Sequence, residues 1–249
     1  QQELLSLEIN PMPNLGTEFL ECNENQMNTY KTIQFEIKQG IGWLTLNRPE
    51  MRNAINDQMI EELTAVFEST ENNSELNAIV IRGNGSVFSA GADLNWMKTV
   101  VNFSYKENKE DSRKIQELFE KLYLLPVPTI SFVHGASIGG ANGIIAACDV
   151  VLAENKSQFR FSEVRIGLVP ATVAPYIINR TGEHAAKYYM LTGKKFHIND
   201  ALRIGLVDSV GTMESLHTEL DLILNEFSKN SPEAMKQTKK LVTSMSRTF

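Results

Sequence analysis

The chain is poor in the residues that build disulfide frameworks and metal sites. Two cysteines, Cys22 and Cys148, occur in 249 residues, with no CxxC and no Cys/His spacing around either. Unclustered thiols of this kind fit a reducing compartment. Cys148, inside AACDVVLA, reads as a small core residue. The four histidines (His134, His184, His197 and His217) are scattered, without an HExxH or an i, i+4 pair, so no metal is expected. Neither Ser89 nor Ser162 lies in a GxSxG elbow, which leaves a serine hydrolase unsupported. A basic surplus is also missing. Lys and Arg number 24 against 30 Asp and Glu, a net charge of −6. Nucleic acid is therefore not an expected partner, and an anionic ligand would need local cations or backbone N–H groups. No apolar run approaches the roughly 18 residues that span a bilayer. The first residues lack the basic and apolar regions of a signal peptide. A cytoplasmic-type location, organelle matrix included, is the expectation. Internal repeats and low-complexity tracts are absent.

What is present is ordinary globular composition, 42% hydrophobic and 22% charged, long enough to bury a core without covalent staples. Residues 1–27 are polar, carry Pro11, Pro13 and Gly16, and show no sustained period. They are expected to be a poorly ordered extension, with Met27 a candidate start of the folded chain. A core is expected over 28–191 and a helical region over 192–249. Two alternating runs, Ile33-Phe35-Ile37 and Ile41-Trp43-Leu46, flank Gly40 and predict a β-hairpin. INDQMIEELTAVFEST places Met59, Ile60, Leu63, Val66 and Phe67 at helical spacing, with Asp57 as N-cap. NAIVIRG reads as a strand and SVFSAGADLNWM as a turn of small residues. Residues 104–124 predict an amphipathic helix with Glu107, Glu110, Asp111 and Glu117 on a solvated face. PTISFVHG is a strand, ASIGGANG a glycine turn, IIAACD a buried helix and VVLAE another strand. This alternation implies an α/β fold with a largely parallel sheet.

Three segments carry candidate chemistry. Ser89-Ala90-Gly91-Ala92-Asp93 is a turn of small residues that lets a backbone N–H stand exposed. Gly139-Gly140-Ala141-Asn142-Gly143 opens a helix, whose first N–H groups lack partners and suit an oxygen becoming negative. Either turn alone is most often only a turn. Glu163, in FRFSEVRIGLVP, is open to three states: solvated, paired with Arg160 or Arg165, or buried with a raised pKa and usable as an acid/base.

NRPEMRNAI, FSAGADL, PTISFVHGASIGGANGIIAACDVVLA, FRFSEVRIGLVP and TGKKFHINDALRIGLVDSV follow one another in the order and spacing of the crotonase (enoyl-CoA hydratase/isomerase) family. The resemblance covers roughly residues 30–245. It implies a crotonase-like fold of repeated ββα units with a helical C-terminal region. It also implies an acyl-CoA substrate, no cofactor beyond the CoA that the substrate carries, and a homotrimer or hexamer. By the same resemblance the oxyanion-hole amides fall on Ala92 and Gly140, and the acid/base on Glu163. Arg52 and the carbonyl near Ala54 meet the phosphate and adenine of CoA. Ala90, Leu94, Trp96 and Gly143 join the substrate-binding set, as does Asp93, which reads foremost as a structural cap. Two departures stand out. Gly143 occupies the place of the family's second catalytic glutamate, and the family usually continues one or two helices beyond SRTF. SAGADLNWM and SEVRIGLVPATVAPYI are most similar to bacterial methylglutaconyl-CoA hydratases. An enoyl-CoA hydratase is expected. A single-glutamate enoyl-CoA isomerase and a non-catalytic CoA-binding protein are the alternatives.

Overall fold

The computed structural model describes residues 30–100 and 102–246; the extension expected over 1–27 lies outside the described residues. The chain opens with the expected hairpin, β1 (Ile33–Lys38) antiparallel to β2 (Ile41–Leu46). Gln39 and Gly40 both have positive φ, 52° and 77°, the pairing that matches the twist of two-residue hairpins. α1 (Asp57–Thr70) follows, then β3 (Ala78–Gly83), α2 (Leu94–Val100), α3 (Tyr105–Leu124), β4 (Thr129–Val133) and β5 (Ala136–Ile138). After α4 (Ala141–Ala147) come β6 (Val150–Glu154) and β7 (Gln158–Arg160). α5 (Ala174–Thr192), kinked at Gly182, leads to β8 (Phe196–His197), α6 (Ile198–Arg203) and β9 (Ser209–Gly211). α7 (Met213–Lys229) and α8 (Pro232–Ser246) close the described chain.

Six strands form the main sheet in the order β1-β2-β3-β4-β6-β9, parallel from β2 onward. Side chains alternate between its faces. Ile79 and Ile81 enter the larger core with Phe67, Phe119 and Ile145, whereas Val80, Ile130 and Leu152 meet Leu216 and Leu220 of α7 on the other face. A layer buried on both sides explains why these strands read as continuous apolar runs. The small second sheet, β5-β7-β8, positions the site.

Three local readings need correction. Asn56, not Asp57, caps α1: its Oδ1 accepts the Met59 N–H at 3.0 Å while its backbone remains extended. The segment expected to be only a turn becomes helical at Leu94. ASIGGANG splits into strand β5 and the first turn of α4. In the first two cases a polar side chain, Asn56 or Asp93, accepts the first amides of the helix; α4 starts at Gly140 without a side-chain cap.

Candidate functional site

The two glycine-containing turns lie side by side. Ser89 pairs with Ser137 in a parallel bridge: the Ser89 N–H donates to Ala136 O at 3.1 Å and the Ile138 N–H to Ser89 O at 3.1 Å. Ala92 and Gly140 each lie three residues past that bridge on adjacent, parallel segments. Gly91 (φ 88°) passes so close to β5 that a Cβ there would sit 2.5 Å from Ile138 O, so only glycine fits. The Gly91 carbonyl accepts from Ile55 N at 2.7 Å, and the Asp93 N–H donates to Ile55 O at 2.8 Å. A trans peptide points its N–H opposite its C=O. The Ala92 N–H is therefore turned away from Ile55. Neither it nor the Gly140 N–H donates to an acceptor among the described residues. A Cβ built on Gly140 would meet nothing within 4 Å, so that turn faces open space. Two free amide donors on neighbouring turns suit an oxygen that gains negative charge.

Arg48 and Asn53, to which the sequence reading gave no role, hold these turns together with Ser89 and Asp93. Asn53 is fully buried. Its Nδ2 donates to Asn84 O, Val87 O and Phe88 O at 2.8–3.1 Å, and its Oδ1 accepts from Arg48 N. The Ser89 hydroxyl donates to Asn53 O and accepts from Gly91 N. Arg48 pairs with Asp93 at 2.9 Å, both largely buried. Asp93 also accepts the Asn95 N–H at 2.8 Å, and so behaves as the structural cap expected of it, at the head of α2. Burial alone would raise the Asp93 carboxyl. The Asn95 amide, the Arg48 guanidinium and the Trp96 amide together outweigh it and hold the pKa below the usual carboxylate range. Arg48 and Asn53 belong to the NRPEMRNAI block, which signalled the loop without saying what its polar side chains touch.

Glu163 begins a 3-10 turn, Glu163–Ile166, directly after β7. Phe159 in β7 and Phe161 just past its end pack against Phe196, with ring centroids 5.6 and 5.8 Å away. Of the three states open to Glu163, the structure comes nearest the buried one: the residue is half-buried, with one carboxyl oxygen out of solvent. Arg160 and Arg165 do not pair with it. Both send Nε to the Gly193 carbonyl, at 2.8 and 2.9 Å. Oε2 of Glu163 is buried without a hydrogen-bond partner among the described residues. Desolvation pushes the pKa up, offset only in part by the Glu163 and Ser162 backbone amides. The carboxyl lies against the glycine turn: a Cβ on Gly139 (φ 53°) would be 3.4 Å from Glu163 Oε1. A half-buried carboxyl and two amides without acceptors among the described residues therefore lie on one pair of adjoining turns.

The remaining candidates fall into separate places. Ala90 is half-buried and donates its N–H to Arg52 O at 2.9 Å. Arg52 is exposed on a left-handed residue (φ 53°). The Ala54 carbonyl, expected to accept from adenine, already carries a bond from Arg48 Nη1 at 2.6 Å, which leaves one lone pair. Leu94 is 73% exposed beside the hole, while Trp96 packs partly on the core. Gly143 is buried. A Cβ there would lie 2.7 Å from Val173 Cγ1 and 2.8 Å from the Phe119 ring, so the space a second carboxylate needs is filled. A groove of about 440 Å³ between α1 and α3, lined by Glu68, Arg113 and Glu117 among others, shares no residue with this site. Among the described residues no group of three or more His, Cys, Asp or Glu is placed to hold a metal, and no helix is long and apolar enough to cross a membrane.

A family profile described as enoyl-CoA hydratase/isomerase matches residues 36–248. A putative enoyl-CoA hydratase of Thermus thermophilus is 32% identical over 213 residues, 86% of this chain and 84% of the relative. The short-chain-enoyl-CoA hydratase of Clostridium acetobutylicum is 32% identical over 212 residues, 82% of this chain and 78% of the relative. The crystal structure of an enoyl-CoA hydratase from Shewanella pealeana has a TM-score of 0.86 at 31% identity, covering 89% of this chain and 83% of that one.

Proposed function

Since the chain belongs to the enoyl-CoA hydratase/isomerase family of crotonase-superfamily enzymes, we propose that it adds water across the 2,3 double bond of an enoyl-CoA thioester. The thioester oxygen lies between the Ala92 and Gly140 amides. As the water oxygen bonds to C3, the double-bond electrons move through C2 onto that thioester oxygen, and the hole binds the resulting enolate more tightly than the ground state. Glu163 takes the proton lost by the water and supplies one to C2, so no net proton is consumed. CoA arrives as part of the substrate, and the steps draw on no metal or redox group. The observation that carries this reading is a half-buried carboxyl, one oxygen of which is buried and unpartnered among the described residues, beside two unbonded amides.

The filled space at Gly143 favours a second reading. Without a second carboxylate to activate water, Glu163 would move a proton from C4 to C2 as a Δ3,Δ2-enoyl-CoA isomerase. A panel of 2-enoyl- and 3-enoyl-CoA thioesters separates the two: hydration consumes 2-enoyl absorbance, and isomerisation creates it. Glu163→Gln is expected to lower turnover by about 10²–10⁴-fold with CoA-ester binding retained. Binding without conversion of any thioester by the wild type would replace both readings with a non-catalytic one.

Within the hydratase reading, 3-methylglutaconyl-CoA is the proposed substrate. Its distal carboxylate needs a cation. Lys109 and Arg165 are the available candidates, since Arg113 is engaged by Glu110 and Glu117. A homotrimer or hexamer is proposed as the working form. Apolar side chains exposed on the single chain, Ile166, Leu168 and Val169 near Glu163 and Leu241 and Met245 on α8, support it. Light scattering on the purified protein tests the assembly.

A further inference from the structure

We propose that Asn142 is a positioning residue that fixes the Gly140 amide relative to the Glu163 carboxyl; this rests on the roles given above to those two groups. Asn142 sits in the first turn of α4, two residues past Gly140, and is fully buried. Its Nδ2 donates to Arg160 O at 2.8 Å. The same carbonyl accepts the Gly139 N–H at 2.8 Å, so both its lone pairs are used. Arg160 ends β7 three residues before Glu163. The backbone bond alone extends the β5–β7 ladder to Gly139. Gly139, in the left-handed region, is a residue about which a helix pivots readily. The side-chain bond adds a second attachment beyond that pivot. It ties the helix that begins at Gly140 to the strand that delivers Glu163.

The cost of the arrangement points the same way. Asn142 Oδ1 is buried and has no hydrogen-bond partner among the described residues. An orphaned buried acceptor destabilises a fold, whereas an apolar side chain of the same shape carries no such penalty. Packing alone gives no reason for an amide here. The donor to Arg160 O is the part of Asn142 that this geometry uses.

The test reads exchange of the C2 protons of a saturated acyl-CoA, butyryl-CoA, with D2O by NMR. The C2–H bond breaks, its electrons pass to the thioester oxygen in the hole, and the proton goes to Glu163. A deuteron returns from Glu163 after it equilibrates with solvent. This step needs neither hydration nor isomerisation. Asn142→Leu is expected to melt within a few degrees of the wild type, about the scale of one net hydrogen bond. Its saturated exchange rate should fall by about tenfold or more with KM nearly unchanged, the split expected when geometry rather than ground-state binding is lost. Asn142→Asp is the conservative variant and the safeguard should the leucine variant fold poorly. A protonated, buried aspartic acid still donates to Arg160 O, and an ionised one does not. Its rate, taken as a ratio to wild type so that Glu163 titration cancels, should approach one at about pH 5 and fall toward about pH 9. A folded Asn142→Leu with wild-type exchange, or an Asn142→Asp ratio flat across that range, overturns the proposal alone. A wild type that exchanges no faster than Glu163→Gln overturns the functional reading together with it.

Discussion

The Ala92 turn is pinned by a dense set of side-chain and backbone hydrogen bonds, whereas Oε2 of the Glu163 carboxyl is buried with no hydrogen-bond partner among the described residues. The first wall of the site is backbone. It is held by Asn53, Ser89, the Ile55 bridge and the Arg48–Asp93 pair, with the Ala92 and Gly140 amides left unbonded among the described residues. The second wall is a single side chain on a 3-10 turn, flanked by exposed Val164 and Ile166. The contrast has a physical reason. Oxyanion donors work by being fixed before charge develops. A proton carrier works best with its pKa raised toward the operating range, and desolvation moves Glu163 in that direction.

Perturbing each wall sharpens that contrast. The largest effect is expected from Gly140→Pro. The φ of −55° at this position already suits proline, and its N–H bonds to nothing among the described residues. Turnover should fall by about 10²–10³-fold with a small change in melting temperature. Retained turnover would mean the Gly140 amide is not part of a hole. Next comes Gly143→Ala, whose Cβ would press on Val173 and the Phe119 ring. Calorimetry should find it about 1–3 kcal/mol less stable. Gly143→Glu should be less stable still, and should not raise the hydration rate.

The smallest expected effect is on stability at the second wall. The raised pKa of Glu163 means the folded chain holds that proton more tightly than the unfolded one. Stability therefore falls as pH rises from the usual carboxylate pKa through the raised one. Glu163→Gln should then be more thermostable than wild type at neutral pH, with the difference vanishing below the ordinary carboxylate range. A variant less stable at every pH would imply a partner for the carboxylate.

Local features were legible in the sequence and long-range polar contacts were not. Periodicity located β1, β2, α1 and α3, because strand and helix periods follow from the backbone itself. The resemblance singled out Ala92, Gly140 and Glu163, which the structure brings to one locus. The state of Glu163 was left open among three, since its arginine neighbours choose Gly193, 28 and 33 residues further on. Likewise Asn53 reaches Phe88, Arg48 reaches Asp93, and the space beside Gly143 is taken by Phe119 of α3 and by Val173, just before α5. No sequence spacing encodes these contacts; they come from packing.

The most direct test of the single-carboxylate account is the pH dependence of C2 proton exchange in wild type and Glu163→Gln, both saturated with the same acyl-CoA. The account predicts that wild-type exchange rises with pH through a midpoint above the usual carboxylate range, and that the glutamine variant loses both the rate and that midpoint while still binding. Equal exchange in the two proteins, or a midpoint that survives in the variant, would contradict it.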